Sequence, residues 1–132
     1  MQVVIRPFNA SLDTGLIYSS YPKGVYYGSF TPIDTPKDKW FKAFYIEMQD
    51  QLKTSTVSIA CMSDNEDVII GYSIVTGTCL EFVYVKEQFR NQGIARLLLK
   101  NHPIEQYKNV TKVGHAILQK KDSRYEASQS AS

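Results

Sequence analysis

The chain has 132 residues, a length typical of one domain, and its 43% hydrophobic and 21% charged residues match an ordinary globular protein. Fifteen Lys and Arg against thirteen Asp and Glu give a net charge of +2, which is too small to indicate nucleic-acid binding. No apolar run reaches the roughly 18 residues that span a membrane. No signal peptide is evident either, so we expect a cytoplasmic protein without a membrane partner.

The first part of the chain is predicted to form a strand, a helix and a loop. Residues 2–6 are β-rich and are stopped by Pro7. Ser11 or Asp13 could cap the helix that follows. The segment 19–36 contains three prolines, two glycines and four aromatic residues, which predicts an irregular but folded loop.

A second helix is predicted to begin at Thr35 and Pro36, a capping residue followed by proline at the first helical position. Its apolar residues recur every four positions up to about Lys53: Trp40, Phe44, Met48 and Leu52. One face of this helix should therefore pack on the core.

Three strands joined by hairpins should follow, at 56–62, 68–75 and 79–85. In the first of them the alternating residues on one side are Val57, Ile59 and Cys61. The pattern predicts that these three side chains face the same layer of the core.

The last part should form a helix after Gly93, ended near Asn101 by Pro103, and then a strand at 110–118. The unit 79–118 is therefore expected to be a crossover between parallel strands. These elements predict an α/β (α+β) architecture, a mixed sheet covered by helices. We expect one domain at 1–120 and a disordered tail at 121–132.

The cysteines and histidines do not indicate a metal site or a disulfide. Cys61 and Cys79 lie in predicted strands and are expected to be thiols. His102 and His115 have no Cys or Asp spacing around them that would match a zinc site. We therefore predict no metal.

A short motif joins the third hairpin strand to the helix after it. Residues 90–95 read Arg-Asn-Gln-Gly-Ile-Ala. A helix start offers N–H groups without partners, a glycine admits an anion close to the backbone, and arginine suits phosphate oxygens. The segment could therefore hold a diphosphate. Alternatively, Gly93 and Ala95 only permit tight packing between strand and helix, with Arg90 on the surface.

This motif and the order of elements resemble the GNAT superfamily of N-acetyltransferases. The family's central motif is an apolar strand, a loop of the form Arg/Gln-x-x-Gly-x-Gly/Ala and a helix, as in Val83–Val85 followed by Arg90–Ala95. The runs VVIRPFNASLD and VIIGYSIV resemble its first and third strands. The resemblance is greatest to small bacteriophage-encoded proteins that share IYSS and VYVKxxFRxxGIAxxLL.

The resemblance implies a GNAT-like acyl-CoA N-acyltransferase fold and a site for acetyl-CoA as cosubstrate. The backbone N–H groups that would hold its pyrophosphate belong to Gln92, Gly93, Ile94 and Ala95, with Arg90 and Asn91 at the loop entrance. The strand end Val83, Tyr84 and Val85 would lie beside the pantetheine arm. The family's strand usually carries a bulge, and the N–H of Val83 could then polarise the thioester carbonyl.

Acetyl transfer to an amine requires a base, because a lysine-like amine has a pKa near 10.4. Glu81 is the candidate, since it lies two residues before Val83 and is expected on the same face of the strand. Alternatively, Glu81 is a structural carboxylate paired with a lysine. Some branches of the family place the base where this chain has Cys79.

The family commonly adds a further helix with a tyrosine that protonates the leaving sulfur, followed by more strands. Here only fourteen residues follow 110–118, so the fold is expected to be C-terminally shortened. Tyr125 is the candidate acid, and His115 is a less favoured titratable group. The aromatic residues that would cover the acceptor site, or simply pack, are Tyr18, Tyr21, Tyr26, Tyr27 and Phe30.

Three interpretations of the shortened end remain open: protons relayed by water, a second copy of the chain completing the sheet as a homodimer, or loss of catalysis. The leading hypothesis is an acetyl-CoA-dependent N-acetyltransferase that modifies an amine on a small molecule or protein. The alternative is a catalytically silent phage protein that uses the fold as an interaction module. If the protein is phage-encoded, its compartment is the host cytoplasm.

Overall fold

The computed structural model describes residues 2–29 and 32–108, and the predicted strand 110–118 and tail 121–132 lie outside that part. Its elements in chain order are β1 (Val3–Pro7), α1 (Ala10–Gly28), α2 (Lys37–Leu52), β2 (Thr56–Met62), β3 (Asn65–Thr76), β4 (Cys79–Val85), a 3-10 turn (Glu87–Phe89), α3 (Ile94–Leu99) and β5 (Gln106–Tyr107).

The strands form one mixed sheet in the order β1-β2-β3-β4-β5. Strands β2, β3 and β4 are antiparallel, as their hairpin connections require, and β1 also runs antiparallel to β2. Strand β5 instead runs parallel to β4. The predicted mixed α/β architecture is therefore confirmed. The strand that runs parallel to β4 begins at Gln106, before the predicted strand 110–118.

The sheet is covered on both faces. On one, α1 and α2 pack over the residues that we call the α1–α2 face: Val57, Ile59, Cys61, Ile69, Tyr72, Ile74 and Phe82. On the other, α3 packs over the α3 face, which includes Ala60, Ile70, Val75, Leu80, Val83 and Val85. Val57, Ile59 and Cys61 share one face, as their alternation predicts. Within the described part, no helix has both the length and the hydrophobicity to cross a membrane.

Helix α1 is longer than the sequence predicts. The interpretation of 19–36 as a loop is wrong over residues 19–28, which continue the helix despite Pro22 within it. Tyr21 is fully buried, and its ring lies 5.0 Å from that of Phe44 and 4.7 Å from that of Phe82. Burial of such a ring stabilises by about 2 kcal/mol or more. Together with the burial of Pro22 itself, it helps to hold the helix where proline and glycine disfavour one.

Gly24 permits the close approach of α1 to the sheet. A Cβ atom at this position would lie 2.6 Å from the ring atom Cζ of Phe82. Gly15, in the same helix, has no heavy atom within 4 Å of its would-be Cβ. Packing therefore requires a glycine at position 24 but not at position 15.

A buried ion pair fixes the start of α1 on β1. Asn9 caps the helix, so the prediction that Ser11 or Asp13 does so is wrong. Asp13 is instead fully buried and receives hydrogen bonds of 2.7 and 2.8 Å from Arg6 and of 2.6 Å from the Asn9 amide. Burial acts to raise the pKa of Asp13, but the bonds from Arg6 and Asn9 outweigh it, so the pKa is lowered.

Substitution of Asp13 by Asn should lower the free energy of unfolding by about 3 kcal/mol at pH 7, because Arg6 remains in a largely buried site without its counter-charge. Urea denaturation measures the loss. The matched control is Asp50→Asn, which removes an exposed pair 3.5 Å from Lys53 and should cost under about 1 kcal/mol.

The same pair predicts a pH dependence. Because the pKa of Asp13 is lower in the folded than in the unfolded state, its contribution is present above about pH 4 and is lost as the pH falls through the folded-state pKa. The difference in free energy of unfolding between wild type and Asp13→Asn should therefore become smaller below about pH 4. Equal losses for Asp13→Asn and Asp50→Asn would contradict the account of this pair.

The two glycines of α1 give a second prediction. Gly15→Ala should raise the free energy of unfolding by about 0.5–1 kcal/mol, because alanine favours the helix and meets open space. Gly24→Ala should lower it by about 1–3 kcal/mol through displacement of the Phe82 ring. Thermal denaturation of both variants checks the opposite signs, and a stabilising Gly24→Ala would mean that α1 is not held against the sheet here.

Candidate active site

Strand β4 contains a bulge at Glu81. Leu80 is opposite Val75 of β3 and Phe82 is opposite Ile74, so Glu81 is an extra residue inserted between two register pairs. A bulge of this kind places two consecutive side chains on one face and interrupts the strict alternation of the strand. Strand β4 contains no glycine or proline that would indicate the bulge from the sequence.

The bulge separates Glu81 from Val83. Glu81 and Phe82 both lie on the α1–α2 face, where Gln51 of α2 donates a hydrogen bond to Glu81. Val83 instead packs on the α3 face. The expectation that Glu81 and Val83 share a face is therefore wrong, because the two-residue period on which it rests does not continue through the extra residue.

The Glu81 carboxylate is buried within a small polar network. The Gln51 amide nitrogen donates to its Oε2 atom, and the Tyr21 hydroxyl donates to the Gln51 amide oxygen over 3.0 Å. The Lys108 ammonium lies 4.0 Å from Glu81 Oε1, and its side chain is 69% exposed. Helices α1 and α2 and strand β4 thus each contribute one residue to the same site. Lys108, which follows β5 in the chain, lies beside it.

Cys79 lies beside this carboxylate but is not an activated thiol. Burial raises its pKa, the neighbouring Glu81 charge raises it further, and Lys108 opposes these effects only in part. The thiol therefore remains protonated at neutral pH. Cys79 cannot replace Glu81 as a base, although it stands at the position used by some branches of the resembled family.

The backbone of β4 beyond the bulge directs polar groups away from β3. The Lys86 amide donates to the Ile70 carbonyl over 2.9 Å, so these two residues form a hydrogen-bonded pair between β4 and β3. The next pair along the two strands, Gly71 and Val85, is therefore a non-hydrogen-bonded pair. The backbone N–H and C=O groups of Val83 and Val85 therefore point toward the β5 side. Among the described residues, β5 pairs with β4 only at Cys79 and Leu80.

The loop after β4 is anchored to this outer edge. Arg90 donates from Nε to the Val85 carbonyl over 2.9 Å. Asn91 and Gly93 both have positive φ, at 64° and 79°, and Gly93 is the N-cap of α3. A Cβ at Gly93 would meet nothing within 4 Å, so its glycine is explained by the left-handed backbone and not by tight packing.

The first residues of α3 combine buried side chains with backbone donors. Ile94 and Ala95 are buried on the α3 face, so the small side chain of Ala95 serves packing. The N–H groups of a first helical turn have no partner within the helix. The loop residues Asn91, Gln92 and Gly93 are exposed, which leaves this turn accessible from solvent.

The tyrosines of the predicted aromatic loop serve packing between the first two helices. Tyr18 lies 6.3 Å from Tyr45, and Tyr26 lies 5.0 Å from Trp40, measured between ring centroids. Tyr27 is 62% exposed, with the Lys37 ammonium 5.1 Å from its ring centroid. The predicted site residues that lie outside the described part of the chain are Tyr125, His115 and Phe30.

Tyr84 lies on the opposite face from its neighbours Val83 and Val85. It is half-buried, with its ring 5.4 Å from that of Tyr72 on the α1–α2 face. Tyr72 is fully buried, and burial raises the pKa of its hydroxyl despite a 2.7 Å hydrogen bond with Ser20. The N–H and C=O groups of Tyr84 point toward Tyr72 in β3, so neither its side chain nor its backbone polar groups line the outer edge of β4.

Sequence reasoning missed Gln51 and Lys108. A signal for Gln51 exists, because it lies three residues after Met48 and seven after Phe44 and thus occupies a core-facing position of α2. A polar residue there requires a partner. No comparable signal marks Lys108, which approaches Glu81 only because β5 runs beside β4. In the described ranges, no three His, Cys, Asp or Glu side chains are placed to hold a metal ion.

Comparison with known proteins identifies the fold. No family model matches the sequence, and no curated protein matches it. Solved structures do. A protein from Pyrococcus furiosus assigned as an acetyl transferase has a TM-score of 0.60 at 14% identity, over 75% of this chain and 70% of that chain.

Two further solved structures agree. A GCN5-related N-acetyltransferase from Rhodopseudomonas palustris has a TM-score of 0.53 at 13% identity, over 76% of this chain and 62% of that chain. A ribosomal-protein-alanine N-acetyltransferase from Brucella melitensis has a TM-score of 0.52 at 15% identity, over 88% of both chains. The chain has the fold of the GCN5-related N-acetyltransferases.

Proposed function

We propose that the protein is an acetyl-CoA-dependent N-acetyltransferase that acylates an amine of a small molecule or a protein. The observation that carries the proposal is the outer edge of β4, where the amides of Val83 and Val85 point away from β3, next to the turn at Gly93. Acetyl-CoA is a linear thioester that carries peptide-like amides and a diphosphate. Its amides can pair with the edge of β4, and its diphosphate can bind the N–H groups of the turn.

The cosubstrate lies along β4 in this proposal. Its pantetheine amides pair with the backbone of Val83 and Val85 as an additional strand would. Its pyrophosphate is held by the N–H groups of the turn, which belong to Gln92, Gly93, Ile94 and Ala95. The exposed side chain of Asn91 stands at the loop entrance. Arg90, already bonded to the Val85 carbonyl, adds positive charge beside the diphosphate.

The reaction is a direct transfer. The neutral amine attacks the thioester carbonyl carbon, a C–N bond forms, and the C–S bond breaks with its electron pair leaving on sulfur. The Val83 N–H stabilises the developing oxyanion. Glu81 accepts the proton of the amine, directly or through water, and the thiolate takes up a proton from water or from an acid such as Tyr125.

The alternative function is a catalytically silent interaction module. The observation that favours it is the exposure of apolar side chains on the helices, with Ile46 of α2 64% exposed and Tyr27 of α1 62% exposed. Resemblance to bacteriophage proteins would place either function in the cytoplasm of an infected cell. A homodimer formed through the sheet edge belongs to the same set of proposals.

Acetyl-CoA binding tests the cosubstrate site. Gly93→Asp and Gly93→Asn have nearly equal volume, and both residues tolerate positive φ better than others. The aspartate adds a negative charge near the diphosphate, so its affinity for acetyl-CoA should fall by about tenfold or more, whereas that of Gly93→Asn should change only a few-fold. Isothermal titration calorimetry measures both, and equal affinities for the two variants would contradict the assignment of this turn.

Turnover tests the base. Glu81→Gln keeps the size of the side chain and its bond from Gln51 but cannot accept the proton, so release of free CoA thiol should fall by about 100-fold or more. Acetyl-CoA affinity should remain within about twofold, since Glu81 lies on the other face of β4 from Val83. The acceptors are spermidine and a lysine-containing peptide, and Glu105→Gln, an exposed carboxylate, is the control. An unchanged rate in Glu81→Gln would remove Glu81 from the mechanism.

A further inference from the structure

We propose that Lys108 is an acceptor of the protein's own acetyl transfer, so that the chain acetylates itself at this amine when no other acceptor is bound. The inference rests on the proposed function and names one amine that its site can reach. It is carried by the position of the Lys108 ammonium, which lies 4.0 Å from Glu81 Oε1. This distance serves only to locate the amine, and the inference requires no particular protonation state of Glu81.

The backbone places Lys108 beside β4. Strand β5 runs parallel to β4, with Tyr107 opposite Leu80. The Lys108 amide then donates to the Leu80 carbonyl over 2.9 Å, which continues the contact between the two segments by one residue. Lys108 therefore lies next to Glu81 on the outer side of β4.

The side chain of Lys108 extends over the α1–α2 face. Tyr107 packs on the α3 face, and successive side chains of an extended segment alternate between the two faces of a sheet. The contact with Glu81, which receives a hydrogen bond from Gln51 on the α1–α2 face, agrees with this direction. The Lys108 side chain is 69% exposed, so little packing restrains its amine.

The amine lies within reach of the thioester in the proposed complex. There the thioester carbonyl lies at the Val83 N–H, two residues beyond Glu81, which is about 6–7 Å along a strand. An extended lysine side chain carries its nitrogen about 6 Å from its Cα. A change of side-chain rotamer therefore brings the Lys108 nitrogen to the carbonyl carbon without movement of the backbone. Because both reactants are then held on one chain, their encounter is intramolecular and fast.

The transfer to Lys108 balances without any further reactant. The ammonium first releases one proton to water, and the neutral amine attacks the thioester carbonyl carbon. A C–N bond forms, and the C–S bond breaks with its electron pair leaving on sulfur. The nitrogen gives up a second proton to water or to a carboxylate, and the thiolate takes up one. The products are acetyl-lysine, CoA thiol and one proton.

The chain contains a control lysine that lies away from this site. Lys42 is exposed on α2 and precedes Gln51 by more than two helical turns. Direct chemical reaction with acetyl-CoA, without a bound cosubstrate, should modify such exposed lysines at similar rates. A preference for Lys108 over Lys42 therefore reports transfer from the proposed site.

The experiment incubates the protein with acetyl-CoA and no added acceptor. Peptide mass spectrometry follows acetylation of each lysine, and a thiol assay follows release of CoA. Lys108 should be acetylated at least about tenfold faster than Lys42, with a rate constant that does not depend on protein concentration. Equal rates at the two lysines would mean chemical background only and would overturn the inference. A rate constant proportional to protein concentration would contradict transfer within one chain.

Two variants connect this acetylation to the site. Lys108→Arg keeps the positive charge but has no amine to acetylate, so release of CoA thiol without added acceptor should fall by about tenfold or more. Gly93→Asp, which weakens binding of the cosubstrate, should slow acetylation of Lys108 and leave that of Lys42 unchanged. Unaltered thiol release in Lys108→Arg would overturn the inference, as would a Lys108 rate that does not respond to Gly93→Asp.

The outcomes separate the two proposals. Wild-type protein that binds acetyl-CoA and acetylates spermidine, yet leaves Lys108 unmodified, would overturn this inference and leave the proposed function intact. Wild-type protein that shows no acetyl-CoA binding by calorimetry, and releases no thiol with or without spermidine, would overturn the proposed function and this inference with it.

Discussion

The extra residue in β4 is the constraint on which the rest of the site depends. Before it, the Leu80 carbonyl accepts from the Lys108 amide on the β5 side. Without a bulge, the same outward direction would fall to Phe82 and Tyr84. The insertion of Glu81 transfers it to Val83 and Val85, whose side chains consequently enter the α3 face. One residue thus decides which amides point outward from β3 and which side chains build the core.

The bulge also places a carboxylate where the core would otherwise be apolar. Burial of an unpaired charge would be costly, so the helices must supply partners. Gln51 and Tyr21 do this from α2 and α1, and they are held by the same aromatic packing that keeps α1 helical past Pro22. Core packing and candidate chemistry therefore share residues, and a change in one is expected to alter the other.

The sequence predicted the parts of the molecule that follow from local patterns. Strand-forming residues between hairpin connections gave the bounds of β2 and β4. The four-residue apolar period gave α2, because a helix that buries one face requires that period. The sequence did not predict the second half of α1, where Tyr21 and Pro22 are both buried against the core, nor the bulge at Glu81. The network around Glu81 was missed since it joins residues 30 positions apart along the chain.

The most direct test measures the NMR signals and the hydrogen exchange of two backbone amides. In ¹⁵N-labelled protein, the signals of Val83 and Val85 should shift on addition of acetyl-CoA, and their hydrogen exchange should slow, whereas the signals of Phe82 and Tyr84 should change little. This result would follow from a cosubstrate paired with the outer edge of β4. Slow exchange of Val83 and Val85 without ligand, unaltered by acetyl-CoA, would mean that the edge is already occupied and would contradict the account.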